Sequence, residues 1–315
     1  MSPFTSNSRA GVGSLGELRL IESIRRWLGA ASPAAPFGIG DDCAVIPPTK
    51  HHQLVTTDPV IHGQHFDDTV PARAVGAKLL KRNLSDIAAM GGRPVAAVIS
   101  LALAPETSVA WLRDFYLGLA ATARRFDVKI VGGDITQGPR KFFGAFLTLH
   151  GESAGRLITR SGARRGDAIY VTGRLGGSLA GHHFRFTPRL DEGRWLARQP
   201  EVVAMMDVSD GVAKDVQSLT PGGLVASVSP ALVPVSAAAR AAARKSGRHA
   251  WVHALTDGED YELLFVLGRK ADAGQFARRW TARFDTPLSV IGSFADQVAP
   301  GHVDWSSFHG YEHLR

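Results

Sequence analysis

Apolar and polar positions along this chain follow two periods, and each period predicts one type of element. Helical spacing marks residues 18–28, after a capping-box pattern of Ser14 and Glu17. The same spacing predicts further helices over 75–87, 109–119, 212–219, 237–245 and 271–284. Short branched or alternating runs predict strands over 54–57, 96–103, 128–131, 142–150, 168–171, 204–208, 261–267 and 288–291.

Both halves of the chain mix strands with helices, which predicts a mixed α/β and α+β fold with two domains. A chain of 315 residues is longer than a single hydrophobic core ordinarily supports. We expect a flexible tail over 1–13, an N-terminal domain over 14–152 and a C-terminal α/β domain over 153–315.

Composition removes several classes of protein. With 44% hydrophobic and 21% charged residues the chain is globular, and no apolar stretch is long enough to cross a bilayer. The net charge of +7 favours anionic partners, but the arginines are dispersed and no basic stripe with stacking aromatics indicates a nucleic-acid binder. The single cysteine, Cys43, fits a reducing compartment, and the lack of an apolar leader favours the cytoplasm. We interpret Cys43 as a buried thiol rather than a nucleophile.

Acidic signatures are spread from end to end, each where an apolar run meets a turn or a helix. They are Gly40-Asp41-Asp42, Thr56-Thr57-Asp58, Asn83-Leu84-Ser85-Asp86, Gly132-Gly133-Asp134, Asp207-Val208-Ser209-Asp210-Gly211 and Gly258-Glu259-Asp260-Tyr261. Buried carboxylates need partners, and Mg²⁺ takes oxygen ligands that it shares with phosphates. The first hypothesis is therefore a multi-metal, phosphate-handling site.

The stretch 207–211 carries the strongest local signal. Asp207 and Ser209 face the same way if they end a strand, and Asp210 lies at a strand-to-helix turn that favours anions. Taken alone, Asp210 is better explained as a helix N-cap. Gly132 and Gly133 permit close backbone approach to a ligand, with a turn and a solvated aspartate as the alternative.

Other chemistries fit less well. The GxGxxG pattern at 11–16 follows no strand, and the chain has no GxxxxGK[ST] motif, which argues against a dinucleotide fold and a P-loop enzyme. His62 and His65 near Asp58 suggest zinc, but a carboxylate-rich set favours Mg²⁺.

At these residues the chain resembles the thiamine-monophosphate kinases, of the aminoimidazole-ribonucleotide synthetase-like ATP-binding superfamily. The resemblance follows the order of the family over nearly the whole chain. It rests on Gly16-Glu17-Leu18, GIGDDCAVI (38–46), TTDPVIHGQHF (56–66), KRNLSDIAAMGGRP (81–94), KIVGGDITQGP (129–139), LITRSGARRGDAIYVTGRLGGSLAG (157–181), PRL (188–190), MMDVSDGVAKDV (205–216), GEDYELLF (258–265) and GYEHL (310–314).

The resemblance implies ATP-dependent phosphorylation of thiamine monophosphate to thiamine diphosphate with several Mg²⁺ ions. It implies a homodimer in which the N-terminal domains share a β-barrel. The implied metal ligands are Asp42, Thr57, Asp58, Asp86, Asp134, Asp207 and Asp210. The implied ATP contacts are Tyr116, Gly133, Asp134, Arg160 and Ser209, with Arg160 also as a charge stabiliser. His65, Glu259 and a C-terminal aromatic, Phe308 or Tyr311, are implied at the thiamine end.

The chain departs from the family at a few positions. Ile135, Gln137 and Asp257 differ from the residues that are usual there, Lys81-Arg82 replaces small apolar residues, and the segment 181–188 is shorter than in relatives. These departures bear on the acceptor more than on ATP. The alternatives are another ATP-using enzyme of the superfamily with a different phosphorylated or carbonyl acceptor, and a non-catalytic nucleotide-binding protein.

Overall fold

The computed structural model describes residues 2–35, 37–40, 43–153 and 155–308. Within them the chain forms helices and strands that alternate from end to end. The helices are α1 (Glu17–Leu28), α2 (Ala72–Ala89), α3 (Val109–Arg125), α4 (His182–Arg185), α5 (Leu190–Ala197), α6 (Val212–Leu219), α7 (Ala237–Ser246), α8 (Ala250–Thr256) and α9 (Ala273–Thr281). The strands are β1 (Gln53–Ile61), β2 (Gly92–Leu103), β3 (Lys129–Gln137), β4 (Phe143–Ser153), β5 (Ala168–Thr172), β6 (Val202–Asp207), β7 (Val225–Val228), β8 (Leu263–Leu267) and β9 (Leu288–Ala295).

The chain divides into two compact units, each with its own sheet. One unit comprises Met1–Ile87 and Arg93–Glu152, and the other comprises Ala88–Gly92 and Ser153–Arg315. The first sheet has the order β1-β4-β2-β3, and the second has the order β6-β8-β5-β9-β7. Two sheets with helices confirm the predicted mixed α/β class.

The first sheet contains a bulge beside the Gly132-Gly133 pair. Strand β3 runs parallel to β2, and the register shifts between Ala97 and Val98, so that Val131 has no partner on β2. A bulge bends its strand and re-aims the residues that follow. A β-carbon added to Gly133 would lie 2.1 Å from the carbonyl oxygen of Ile99. Gly133 is therefore required by the close approach of the neighbouring strand.

The second sheet supports a core of aliphatic side chains. The pairs β5–β8, β5–β9, β6–β8 and β7–β9 are antiparallel. Strands β5, β6 and β8 are almost fully buried. Such strands read as continuous apolar runs, which is why the sequence identifies them. The helix after β6, α6, begins at Val212 with Gly211 as its N-cap and no side-chain cap. The alternative role of Asp210 as the N-cap is therefore wrong.

Three local predictions differ from the structure. The N-cap of α1 is Gly16, while the Ser14 hydroxyl donates to the carbonyl of Gly11, so the capping box does not form. The predicted flexible tail is held against residues 107 and 108, because Phe4 forms an isolated β-bridge with Thr107 and Gly11 forms one with Ser108. Cys43 is exposed rather than buried. The contacts that hold the tail are distant in sequence, whereas the hydrogen bond that replaces the capping box is local.

Candidate active site

One group of predicted residues lies where β1 meets α2. Residues Thr56 and Asp58 point to the same side of β1 because side chains alternate along a strand. The Thr56 hydroxyl donates to the Asp86 carboxylate at 2.5 Å, and the Asp58 carboxylate lies 3.3 Å from a guanidinium nitrogen of Arg82. The structure thus brings Asp58 and Asp86 to the same face of the sheet and adds Thr56 and Arg82, which are not among the implied metal ligands.

The Thr57 side chain takes the opposite face of β1. Its hydroxyl donates to the carbonyl of Leu147 at 3.1 Å and accepts from Thr148 at 3.3 Å. On α2, Asn83 is fully buried and donates to the carbonyl of Leu79, while its own side-chain oxygen has no partner among the described residues. Buried acceptors almost always have a partner, so this oxygen fits a cation or a water as its missing neighbour.

A cavity of about 300 Å³ lies in the first unit, between α1 and β3. It brings three of the predicted ATP residues together, because Tyr116, Gly133 and Asp134 all line it. Its other lining residues are apolar except for one acid and two glycines, namely Glu17, Ile21, Ile24, Leu28, Ile39, Gly40, Ile99, Ile130, Gly132 and Ile135. A mostly apolar cleft with a few polar groups is the usual form of a small-molecule site.

The polar groups of this cavity are available to a ligand. Tyr116 is 3% exposed, and burial raises the pKa of its hydroxyl, which makes no hydrogen bond within the described residues. The Asp134 carboxylate is exposed and also makes no hydrogen bond or ion pair with the described part of the chain. The sequence predicts only helical spacing for the aliphatic side chains of α1, and helical periodicity cannot separate a core face from a pocket wall.

A second group of carboxylates lies at the end of β6 in the other unit. The Asp215 carboxylate accepts hydrogen bonds from the backbone nitrogens of Ser209 and Asp210, each at 3.1 Å, and Asp210 pairs with Lys214 at 2.5 Å. Burial, together with the nearby charges of Asp207 and Asp210, raises the pKa of Asp215 to about 8. Asp215 was missed because an acid in the first turn of a helix resembles a surface residue.

These donor sets fit magnesium only in part. Within the described ranges, no three His, Cys, Asp or Glu side chains are grouped so that they could hold one ion. Mg²⁺ ordinarily takes one or two carboxylates and completes its shell with water and substrate phosphates. The crowding of Asp207, Asp210 and Asp215, together with the unpartnered oxygen of Asn83, is consistent with such partial sites. Asp42 lies outside the described residues.

The predicted acceptor residues are in different environments. Glu259 approaches His183 and Tyr261, and Phe308 packs edge-to-face on Trp251. His65 accepts a hydrogen bond from the nitrogen of Ile61. Arg160 is exposed and forms no ion pair with the described residues, and Tyr311 lies outside them. The zinc alternative weakens because His62 pairs with Asp68 at 2.9 Å.

The first comparison defines a class of protein. Residues 40–152 match the family model described as AIR synthase related protein, N-terminal domain. A hydrogenase maturation protein, HypE, in complex with ATP shares the fold, with a TM-score of 0.69 at 20% identity over 90% of this chain and 88% of that one.

Closer relatives narrow the class. The thiamine-monophosphate kinase of Rhodopirellula baltica is 37% identical over 82% of this chain and 85% of its own length, and that of Escherichia coli K12 is 33% identical over 95% and 98%. The structure of the enzyme from Stenotrophomonas maltophilia gives a TM-score of 0.74 at 32% identity over 90% of this chain and 95% of that one. The structure of AaThiL complexed with AMPPCP and TMP gives a TM-score of 0.70 at 30% identity, over 90% of this chain and 92% of that one. This chain belongs to the thiamine-monophosphate kinase family.

No helix among the described residues is both long and apolar enough to span a membrane.

Proposed function

We propose that this chain transfers a phosphoryl group from ATP to thiamine monophosphate and so forms thiamine diphosphate. The observation that carries the proposal is the cavity of the first unit, where Tyr116, Gly133 and Asp134 meet an apolar wall. A relative 30% identical to this chain binds AMPPCP and TMP, which supports the same pair of ligands here.

The chemistry suits the residues. A phosphate oxygen of the acceptor is already anionic, so in-line attack on the γ-phosphoryl group needs no general base. The chain must instead hold two polyanions in line and offset their charge. Magnesium ions, when bound, would supply most of that compensation. Arg160 would add a guanidinium at the transferring group, which is consistent with its lack of an ion pair within the described residues.

The nucleotide and the metals would share Asp134 and otherwise be held by different residues. The cavity accepts the base and ribose against its apolar wall, with Tyr116 and Asp134 as polar contacts and Ser209 as a further ATP contact. The proposed metal ligands are Asp42, Asp58, Asp86, Asp134, Asp207 and Asp210, whereas Thr57, which the resemblance also implies, turns its hydroxyl to the opposite face of β1. Thr56 joins this set as a neighbour that orients Asp86.

The thiamine end would meet a carboxylate and aromatic rings. Glu259 offers a negative charge to the cationic thiazolium, and cations are also attracted to aromatic faces. His65 and either Phe308 or Tyr311 complete the proposed acceptor contacts.

The proposal is tested by incubating the purified chain with ATP, Mg²⁺ and thiamine monophosphate. We expect thiamine diphosphate and ADP in equal amounts. ADP formation with another phosphorylated acceptor, and none with thiamine monophosphate, would favour the alternative enzyme of the superfamily. Tight ATP binding without turnover on any acceptor would favour a non-catalytic nucleotide-binding protein.

The metal assignment has its own test. Asp58→Asn and Asp210→Asn remove one ligand charge from each unit and should lower kcat by about a hundredfold or more, since charge stabilisation carries most of the catalysis. Asp191→Asn is the matched control, because Asp191 is an exposed residue of α5. Unchanged kcat in both variants, with unfolding temperatures like the control, would remove these residues from the metal site.

We also propose the homodimer with a shared β-barrel. The first sheet leaves apolar side chains exposed on one face, with Val55, Val98 and Phe146 at 68%, 39% and 39% exposure. Such a face favours burial against a partner. Residues 14–152 would thus serve ATP binding, metal binding and dimerisation, and 153–315 would form the second domain. Light scattering should give a mass near twice 33.7 kDa. Val55→Asp should lower the measured mass towards that of the monomer. A monomeric mass for the parent chain would exclude the dimer.

A further inference from the structure

The loop that carries Glu259 has an uncommon backbone. Among the described residues only four non-glycine residues have a positive φ, and two of them are Glu259 (φ 53°) and Tyr261 (φ 52°). Such conformations persist only where the surroundings hold them, and they often occur at functional sites. Here the backbone nitrogen of Glu259 donates to the carbonyl of Ser209 at 2.7 Å, and that of Tyr261 donates to Val208 at 2.8 Å.

The two oxygens of the Glu259 carboxylate have different neighbours. The Tyr261 hydroxyl donates to Oε1 at 3.1 Å, and Nδ1 of His183 lies 3.5 Å from Oε2. The His183 side chain is 9% exposed, whereas that of Glu259 is 23% exposed. The carboxylate is therefore oriented from its buried side while part of it still faces solvent.

The segment that supplies His183 also contacts the next two residues of the loop. Phe186 stacks on Tyr261 with ring centroids 4.0 Å apart and an interplanar angle of 17°. Nε2 of His182 lies 3.1 Å from the carbonyl oxygen of Asp260. Residues 182–186 thus touch Glu259, Asp260 and Tyr261 in turn. These residues lie within 181–188, the segment that the resemblance predicts to be shorter here than in relatives.

We propose that His183 and Phe186 set the recognition of the thiamine end, with His183 as the positioning residue of Glu259 and Phe186 as that of Tyr261. The inference rests on the proposed function, since the ligand is the aromatic thiazolium cation of the acceptor. The His183 imidazole lies beside Oε2 and so limits the direction of the carboxylate. The part of the Glu259 side chain that faces solvent then meets the cation.

The test uses the full chain and separates the two substrates. His183→Ala should raise the KM for thiamine monophosphate about tenfold, the effect of losing one polar contact with a charged group. The KM for ATP should stay within twofold. Unphosphorylated thiamine, which carries the thiazolium but no phosphate, should become a weaker competitive inhibitor by a similar factor.

Two further variants separate positioning from folding. His183→Gln keeps an N–H donor near Oε2 and should recover most of the affinity. Arg185→Ala is the matched control in the same helix, since the Arg185 guanidinium binds the carbonyls of Ala180 and Gly181 and touches the Phe184 ring. It should leave both KM values unchanged.

Each outcome decides the matter. An unchanged KM for thiamine monophosphate in His183→Ala overturns the inference, as does an equal rise in both KM values with no recovery in His183→Gln. If the parent chain does not phosphorylate thiamine monophosphate, the proposed function fails by itself. Calorimetric binding of thiamine to the parent chain and to His183→Ala then still tests the inference, and equal affinities, or no binding by either, would overturn it.

Discussion

Replacing Gly133 by alanine should destabilise the first unit and disturb its cavity together. The added β-carbon would lie 2.1 Å from the Ile99 carbonyl oxygen, whereas ordinary contact begins at 3.4 Å. Strands β2 and β3 would therefore have to separate locally by about 1.3 Å, the difference of these distances. Both Gly133 and Ile99 line the cavity, so the same shift changes the nucleotide wall.

The expected magnitude follows from two opposing effects. Overpacking of a well-packed site costs about 1–3 kcal/mol, and each weakened ladder hydrogen bond adds about 1 kcal/mol. Alanine restricts the unfolded chain more than glycine does, which stabilises the folded state by roughly 0.4–1 kcal/mol. The net loss is about 2–3 kcal/mol, or roughly 5–10 °C in unfolding temperature for a domain of this size class.

Gly132→Ala is the matched control for Gly133→Ala. Its β-carbon would meet only a methyl group of Val98, at 3.4 Å, which is ordinary contact. Differential scanning calorimetry should place Gly132→Ala within about 2 °C of the parent chain. Gly133→Ala should unfold earlier and bind a non-hydrolysable ATP analogue more weakly. Equal unfolding temperatures and equal nucleotide affinity in the two variants would refute the role given to the bulge.

Three other substitutions test separate features. Tyr116→Phe should raise the KM for ATP roughly fivefold with no change in unfolding temperature, because the hydroxyl has no protein partner among the described residues. Arg189→Ala should lower stability by about 3–5 kcal/mol in chemical unfolding, since it leaves the buried Glu262 carboxylate without its bidentate partner, whereas Arg194→Ala at the surface should be neutral. Burial lowers the pKa of Lys81 from 10.5 to about 8, so the free energy of unfolding should rise with pH between these values. Lys81→Met should have a higher unfolding temperature at pH 7 and should not show this rise.

Much of the fold could be predicted because the strands are short and strongly apolar. The buried run 202–207 and the helix after it were placed within two residues of their observed ends. The N-cap of α1 was predicted wrongly, because capping depends on which side chain reaches a free backbone nitrogen. Ser14 satisfies its hydroxyl on the carbonyl of Gly11 instead.

The candidate site was predicted less completely than the fold, for two physical reasons. Motif matching selects Thr57, but the pairing of β1 with β4 turns that hydroxyl to Leu147 and leaves Thr56 facing Asp86. A sequence motif records neighbours along the chain, whereas the face of a strand is set by its partner. Residues of the pocket wall such as Ile24 are equally hard to identify from the sequence, since a core and this cavity are both lined by apolar side chains.

The acids near the end of β6 and the start of β8 show why counting carboxylates overstates the number of metal ligands. Asp260 is fully buried, and burial raises its pKa well above the ordinary value, which disfavours the charged form, while its carboxyl accepts from the nitrogen of Gly176. Glu262 is held in an ion pair by Arg189. Neither carboxyl is therefore readily available to a cation. Asp210 differs because its side chain is 26% exposed and that of its partner Lys214 is 40% exposed, and an ion pair this exposed costs little to replace by contacts with a metal or a phosphate. Exposure thus favours Asp210 over Asp260 and Glu262 as a metal ligand.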